Sequence, residues 1–184
     1  KGPTTWAEIE ADAEKVNALG GDIKGFYFSG ACGGCNIFTF TPLVWASGGE
    51  ILSEDGKTAM LTDPKLREAI DFYRSMIKKG LVPEGAQTDN GANFFAAFAG
   101  GNIGIAPSGA FAIGALNTQY KDIEYGVTFL PGKDGGWSSF AGGDNFVVTK
   151  GTPKLKVLQE FLDYAYSLEG QTLLASRGSL PVRG

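Results

Sequence analysis

The chain contains no histidine. That absence removes the commonest general base and the commonest metal ligand, and it excludes any triad built on a histidine. Cysteine is almost as scarce, with only Cys32 and Cys35. Zinc would need about four ligands, and neither a second cysteine pair nor a histidine is there to complete the set. The net charge is −4 and no long basic run occurs, which argues against nucleic acid as a partner. No apolar run is long enough to span a membrane, and no signal-peptide pattern opens the chain. Residues Lys1 to Thr4 read as the approach from a linker, so a removed export signal or a missing upstream segment is compatible with the start. The glycine-lysine stretch 131–136 lacks the G-x-x-x-x-G-K-[ST] spacing of a phosphate-binding loop. No motif asks for a cofactor, and neither a repeat nor a low-complexity segment is found.

What is present is ordinary for a globular chain: 184 residues, 43% hydrophobic and 20% charged, enough for one domain or two small ones. Glycine is abundant, at 28 residues, and points to many turns and close backbone approaches.

Residues 94–116 organise the rest. They read as a short helix with Phe94, Phe95 and Phe98, a Gly100-Gly101 stop, a strand over 102–106, and a Pro107-Ser108-Gly109 turn into a second helix. Gly104 inside the strand implies that something packs close to the backbone. The strand-to-helix turn is where ligands sit in α/β folds, and Phe111 would put an aromatic face at that edge.

Elsewhere helices and strands alternate, which sets the class as α/β. Thr5 to Glu8 reads as a capping box opening a helix with Trp6, Ile9, Ala13 and Val16 on one face. Residues 23–29 read as a strand, 38–47 as one apolar helix with Trp45 in the core, and 50–61 as a hairpin around Asp55-Gly56. Asp63-Pro64 opens a helix whose stripe is Leu66, Ala69, Ile70, Tyr73, Met76 and Ile77. Strands are expected at 125–130 and 146–149, a long helix over 153–168 and a further short helix over 169–176.

The Cys32-Gly-Gly-Cys35 spacing admits three readings: a small structural disulfide, which is adopted here, a pair of free thiols, or a thioredoxin-type redox pair. The loop lies between a strand end and the next helix, again a binding edge.

Taken in order, these pieces resemble the family 1 extracellular solute-binding proteins of bacterial ABC importers, the maltose-binding-protein type. The resemblance is carried by Pro3-Thr4-Thr5-Trp6, by Pro42-Leu43 through Gly48-Gly49, and by AIDFYRSMIKKG over 69–80. It continues through 94–116, Tyr125-Gly126-Val127 with Leu130-Pro131-Gly132, Gly142-Gly143-Asp144-Asn145, and Leu180-Pro181. It implies a three-layer α/β/α lobe with a mixed sheet, one half of a type II clamshell that captures a mono- or oligosaccharide and hands it to permease subunits outside the cytoplasm. Members of the family are about twice this long, so the chain is expected to be a fragment. Residues 1–143 would be the ligand-binding second lobe. Residues 144–184 would be the hinge strand and helices that return to the first lobe, and the missing lobe or a second copy would cover the 153–168 helix. Position by position, the resemblance implies ligand contacts at Asn36, Phe38, Phe111, Gly143 and Asp144, with Phe111 where the family places a stacking Trp. Trp137 falls in an exposed loop. The rival classes are a glycoside-acting enzyme using Asp144, Asp89 and Glu84, and a thiol-disulfide protein using Cys32 and Cys35.

Overall fold

The computed structural model describes residues 1–93, 95–143 and 145–182. The expectations for Phe94 and Asp144 therefore lie outside the described residues. The chain divides into two compact units, one of residues 1–109 and 122–141, the other of 110–121 and 142–184.

The first unit opens with helix α1, Trp6–Asn17. The Thr5 hydroxyl accepts from Glu8 N at 3.2 Å, as a capping box requires. The Glu8 carboxylate reaches one residue further back than expected, accepting from Thr4 N at 2.6 Å and Thr4 Oγ1 at 2.8 Å. Helix α1 lies directly on strand β1, Lys24–Phe26, which pairs in parallel with β2, Ile103–Ile105. A Cβ on Gly25 would stand 2.1 Å from the Ala13 carbonyl oxygen, so only glycine lets the helix come this near. Gly104 meets the same constraint from the Val16 side chain, at 2.7 Å from a built Cβ, which is the close approach its place in the strand implied.

On the other side of the core lies α4, Pro64–Lys78, N-capped by Asp63, whose carboxylate accepts from Lys65 N at 2.7 Å. Its buried stripe is Leu66, Ala69, Phe72, Tyr73 and Met76. Ile70, expected inside, is exposed, and Phe72 takes its place by stacking on Trp6 at 5.1 Å between ring centroids. The Trp6 indole N–H donates to the Pro131 carbonyl at 2.9 Å. That bond ties α1 to the antiparallel pair β3, Leu130–Pro131, and β4, Trp137–Ser138.

Three expectations are corrected. The apolar run 38–47 is not one helix but two, α2, Gly33–Thr39, and α3, Thr41–Ala46. The second starts afresh with proline in its first turn, because a proline ring removes the hydrogen bond that a continuous helix would need. Residues 50–61 form a hairpin only weakly: the turn at Asp55-Gly56 is present, but a single Leu52–Ala59 bridge follows. The strands expected at 125–130 and 146–149 shrink to Leu130–Pro131 alone among the described residues. An extended segment becomes a strand only where a neighbour takes its ladder bonds.

Helix α5, Ala96–Ala99, precedes β2, and a 3-10 turn at Glu84–Gln87 precedes α5. The second unit holds α6, Phe111–Gln119, with α7, Leu155–Ala165, and α8, Leu168–Ser176. Gly114 of α6 sits against the Arg177 carbonyl, where a Cβ would be 2.9 Å away. The Gln171 side chain is buried, donating to the Ala165 carbonyl and accepting from Val182 N, both at 2.8 Å. Phe146 meets Phe161 and Tyr166 edge-on, each at 6.0 Å. Helix α7 itself has no buried residue.

Candidate functional site

The residues that follow β1 build the most constrained surface of the first unit. Cys32 and Cys35 are joined in a disulfide, which is the adopted reading of the C-x-x-C motif. Cys32 is also the N-cap of α2, its sulfur accepting from Cys35 N at 3.1 Å. The sulfurs pack against Gly91, at φ +103°, where a Cβ would stand 2.8 and 2.9 Å from them. Both the backbone angle and the space therefore demand glycine at position 91.

Gly91 belongs to a loop that is itself pinned. Buried Asp89 accepts from the Tyr27 hydroxyl at 2.7 Å, the Ser29 hydroxyl at 2.5 Å and Asn93 N at 3.3 Å. Burial alone would push the Asp89 carboxyl up, but the bonds from Ser29, Tyr27 and backbone N–H groups outweigh it and hold the group below the usual aspartate value. Burial and the bond to Asp89 push the Tyr27 phenol up to about 12. Asp89 spends its oxygens holding the 89–93 loop to Tyr27 and Ser29, just beyond β1.

Helix α2 carries two of the expected contacts. The Asn36 amide donates to the Ser29 carbonyl at 3.1 Å and the Cys32 carbonyl at 2.9 Å, so its nitrogen closes the loop. Phe38 is 47% exposed and meets Phe140 edge-on at 4.7 Å. Phe140 in turn lies nearly parallel to Trp45, at 6.1 Å and 16°. Trp45, expected in the core, is half-buried on α3. Thr41, Pro42, Leu43 and Val44 of the same helix are buried.

Phe111 and Gly143 belong to the second unit. Phe111 opens α6 with its ring 57% exposed, and Gly143 is exposed with open space where a Cβ would point. Trp137 is exposed, as expected, and stacks on Phe129 at 4.7 Å. Phe140 and Trp45 escape sequence reasoning as site residues. Nothing local marks them, because Phe140 comes to Phe38 and Trp45 from a segment far along the chain. Among the described residues no group of three or more Cys, Asp or Glu side chains could hold a metal ion. No helix there is long and apolar enough to cross a membrane.

Known proteins match this chain along nearly its whole length. A binding protein of Brucella abortus is 28% identical over 182 residues, 98% of this chain and 44% of that one. The diacetylchitobiose binding protein DasA of Streptomyces coelicolor is 32% identical over 139 residues, 73% of this chain and 33% of its own. Among solved structures, maltose-bound MalE3 of T. maritima superposes with a TM-score of 0.80 at 25% identity, over 100% of this chain and 48% of that one. A solute-binding protein of Thermotoga lettingae bound to alpha-D-tagatose gives 0.79 at 21% identity, over 98% and 47%. The chain thus spans less than half the length of the proteins it matches, and its fold is that of the periplasmic solute-binding proteins. The model of the bacterial extracellular solute-binding protein family matches residues 1–184, and the chain belongs to that family.

Proposed function

We propose that this chain is part of the substrate-binding component of an ABC importer and helps to capture a mono- or oligosaccharide in a cleft between two lobes. The observation that carries the reading is the match of the whole chain to about half of a maltose-bound relative. In this reading residues 1–143 belong to the second lobe, and residues 144–184 are the segment returning to the first. The protein works outside the cytoplasm, in the periplasm or anchored at the cell surface, and delivers its ligand to permease subunits. It binds without turnover.

The chemistry needed is modest. A sugar offers an apolar C–H face to an aromatic ring and a rim of hydroxyls to amides, carboxylates and backbone groups. Phe38 and Phe111 are assigned the stacking, and Asn36, Gly143 and Asp144 the rim. Phe161 and Leu155 of α7, each 51% exposed, fall on a face assigned to the other lobe or to a second copy, since apolar stripes of that kind seldom stay bare.

Calorimetry against maltose, maltotriose, raffinose, diacetylchitobiose and D-tagatose tests the reading, using the protein that carries this chain together with its remaining residues. Saturable binding of at least one sugar with no release of hydrolysis products is expected. Failure of all to bind, or cleavage of any, would overturn it.

A further inference from the structure

Phe38 is the most exposed ring of a row that runs back into the fold. Its partner Phe140 leaves β4 two residues after Ser138, and the β3–β4 hairpin is fastened to the end of α3. Lys133 N donates to Ser47 Oγ at 3.0 Å. Gly132 lies so close to the Ala46 carbonyl that a Cβ would stand 2.3 Å from its oxygen. Trp45, on the same short helix, sits beside Leu43 and Val44, which are 2% and 0% exposed. The row Phe38–Phe140–Trp45 is therefore anchored at its inner end by core packing. At its other end α2 is anchored by the disulfide, by Gly91 and by the Asn36 amide. Phe38, 47% exposed, is held on one side by Phe140 and carried on a fastened helix, which pre-orients it. A free ring would have to surrender its rotamer freedom when a ligand arrived.

We propose that Trp45 and Phe140 are positioning residues: they fix the plane of Phe38 so that it meets the C–H face of a sugar ring, and Trp45 reports that event optically. The proposal rests on the sugar-binding reading and deepens it at one site. Phe140 acts by its edge on Phe38, and Trp45 acts only through Phe140. A plain packing role would make substitutions here lower the melting temperature and leave affinity alone. A positioning role shifts affinity even where the fold is kept.

The experiment uses the intact protein with maltose, raffinose and D-tagatose as probes, each followed by calorimetry and by tryptophan emission. Sugar binding should change the emission of the wild type and of Trp137→Phe. The change should shrink in Trp45→Phe, which removes the indole that reports it. Phe140→Leu, which keeps apolar volume but not the ring, should weaken binding about 3- to 10-fold, and Phe140→Tyr should restore it. Binding by calorimetry with wild-type affinity in Phe140→Leu, or with no Trp45 emission change, overturns the positioning role while the sugar-binding reading stands. Binding of none of the three sugars, nor of maltotriose or diacetylchitobiose, overturns that reading and this inference with it.

Discussion

Helices α4 and α7 have the same apolar periodicity and different fates. Helix α4 buries Leu66, Ala69, Phe72, Tyr73 and Met76 beneath α1 and β1. Helix α7, with Leu155, Val157, Phe161 and Tyr164 between 47% and 61% exposed, buries nothing fully. Both are amphipathic by spacing, a property set within a turn or two of the chain, though only α4 has a side-chain cap, from Asp63. The difference lies in what stands opposite. The first unit supplies its own opposite face, from residues more than 50 positions apart in places, as the Trp6–Phe72 stack shows. Among the described residues of the second unit, α8 and Phe146 approach α7. An amphipathic helix therefore advertises a surface without saying where its complement comes from.

That contrast can be broken most directly with matched truncations. Met76→Ala, at a fully buried site, should cost about 2 to 5 kcal/mol, whereas Leu155→Ala in the same 184-residue chain should cost under about 0.5 kcal/mol. Urea midpoints of the two variants decide it, and equal losses would mean that α7 is packed after all. Next in size is the disulfide. Closing so short a loop is worth about 2 kcal/mol of chain entropy. Reduction, or the double change Cys32→Ser with Cys35→Ser, should lower the midpoint of the first unit accordingly and leave that of the second unmoved.

A smaller effect of opposite sign is expected at Tyr73. Its hydroxyl is buried with no hydrogen-bond partner among the described residues, and burial pushes its phenol above the usual range. Tyr73→Phe removes an unsatisfied polar atom and keeps the ring contacts with Phe26, Phe28 and Phe40, so it should stabilise by about 1 kcal/mol. A loss of stability in thermal melts would reveal a partner for that hydroxyl.

The smallest effect appears only in acid. The Asp89 carboxyl is held below its ordinary value of 3.8 in the folded chain. Its stabilising contribution is complete above that ordinary value, and it fades as pH falls from there through the depressed one. Stability measured between pH 5 and pH 2 should therefore fall less steeply in Asp89→Asn than in wild type. Parallel curves would show that Asp89 does not hold the 89–93 loop through its charge.

Much of this organisation is legible in the order of residues alone. The Thr5 cap, the Asp63-Pro64 helix start and the Gly80 stop all act over a few residues, and all are present. Trp6, Ile9 and Ala13 fall on one face by spacing alone, and they are buried. The segments 125–129 and 146–149 read as strands and are not, because ladder pairing is not local. Ile70 gives way to Phe72 because the stripe of α4 has two possible edges, and only the ring of Trp6 chooses between them.

The site divides along the same line. Cys32 and Cys35 stand out from one short segment by their spacing, whereas Asn36 and Phe38 are expected as contacts only through the family resemblance. Residue order alone specifies the α/β class, the caps and stops, and the family; the bond at the head of α2 is one of three readings that it allows. It takes the folded chain to place Gly91 behind the sulfurs, to make Asp89 a loop anchor, and to bring Phe140 between Phe38 and Trp45. The cause is range. Backbone torsions, capping bonds and side-chain periodicity are set within a turn or two. Burial, close glycine contacts and ring-on-ring geometry exist only once distant segments have been brought together.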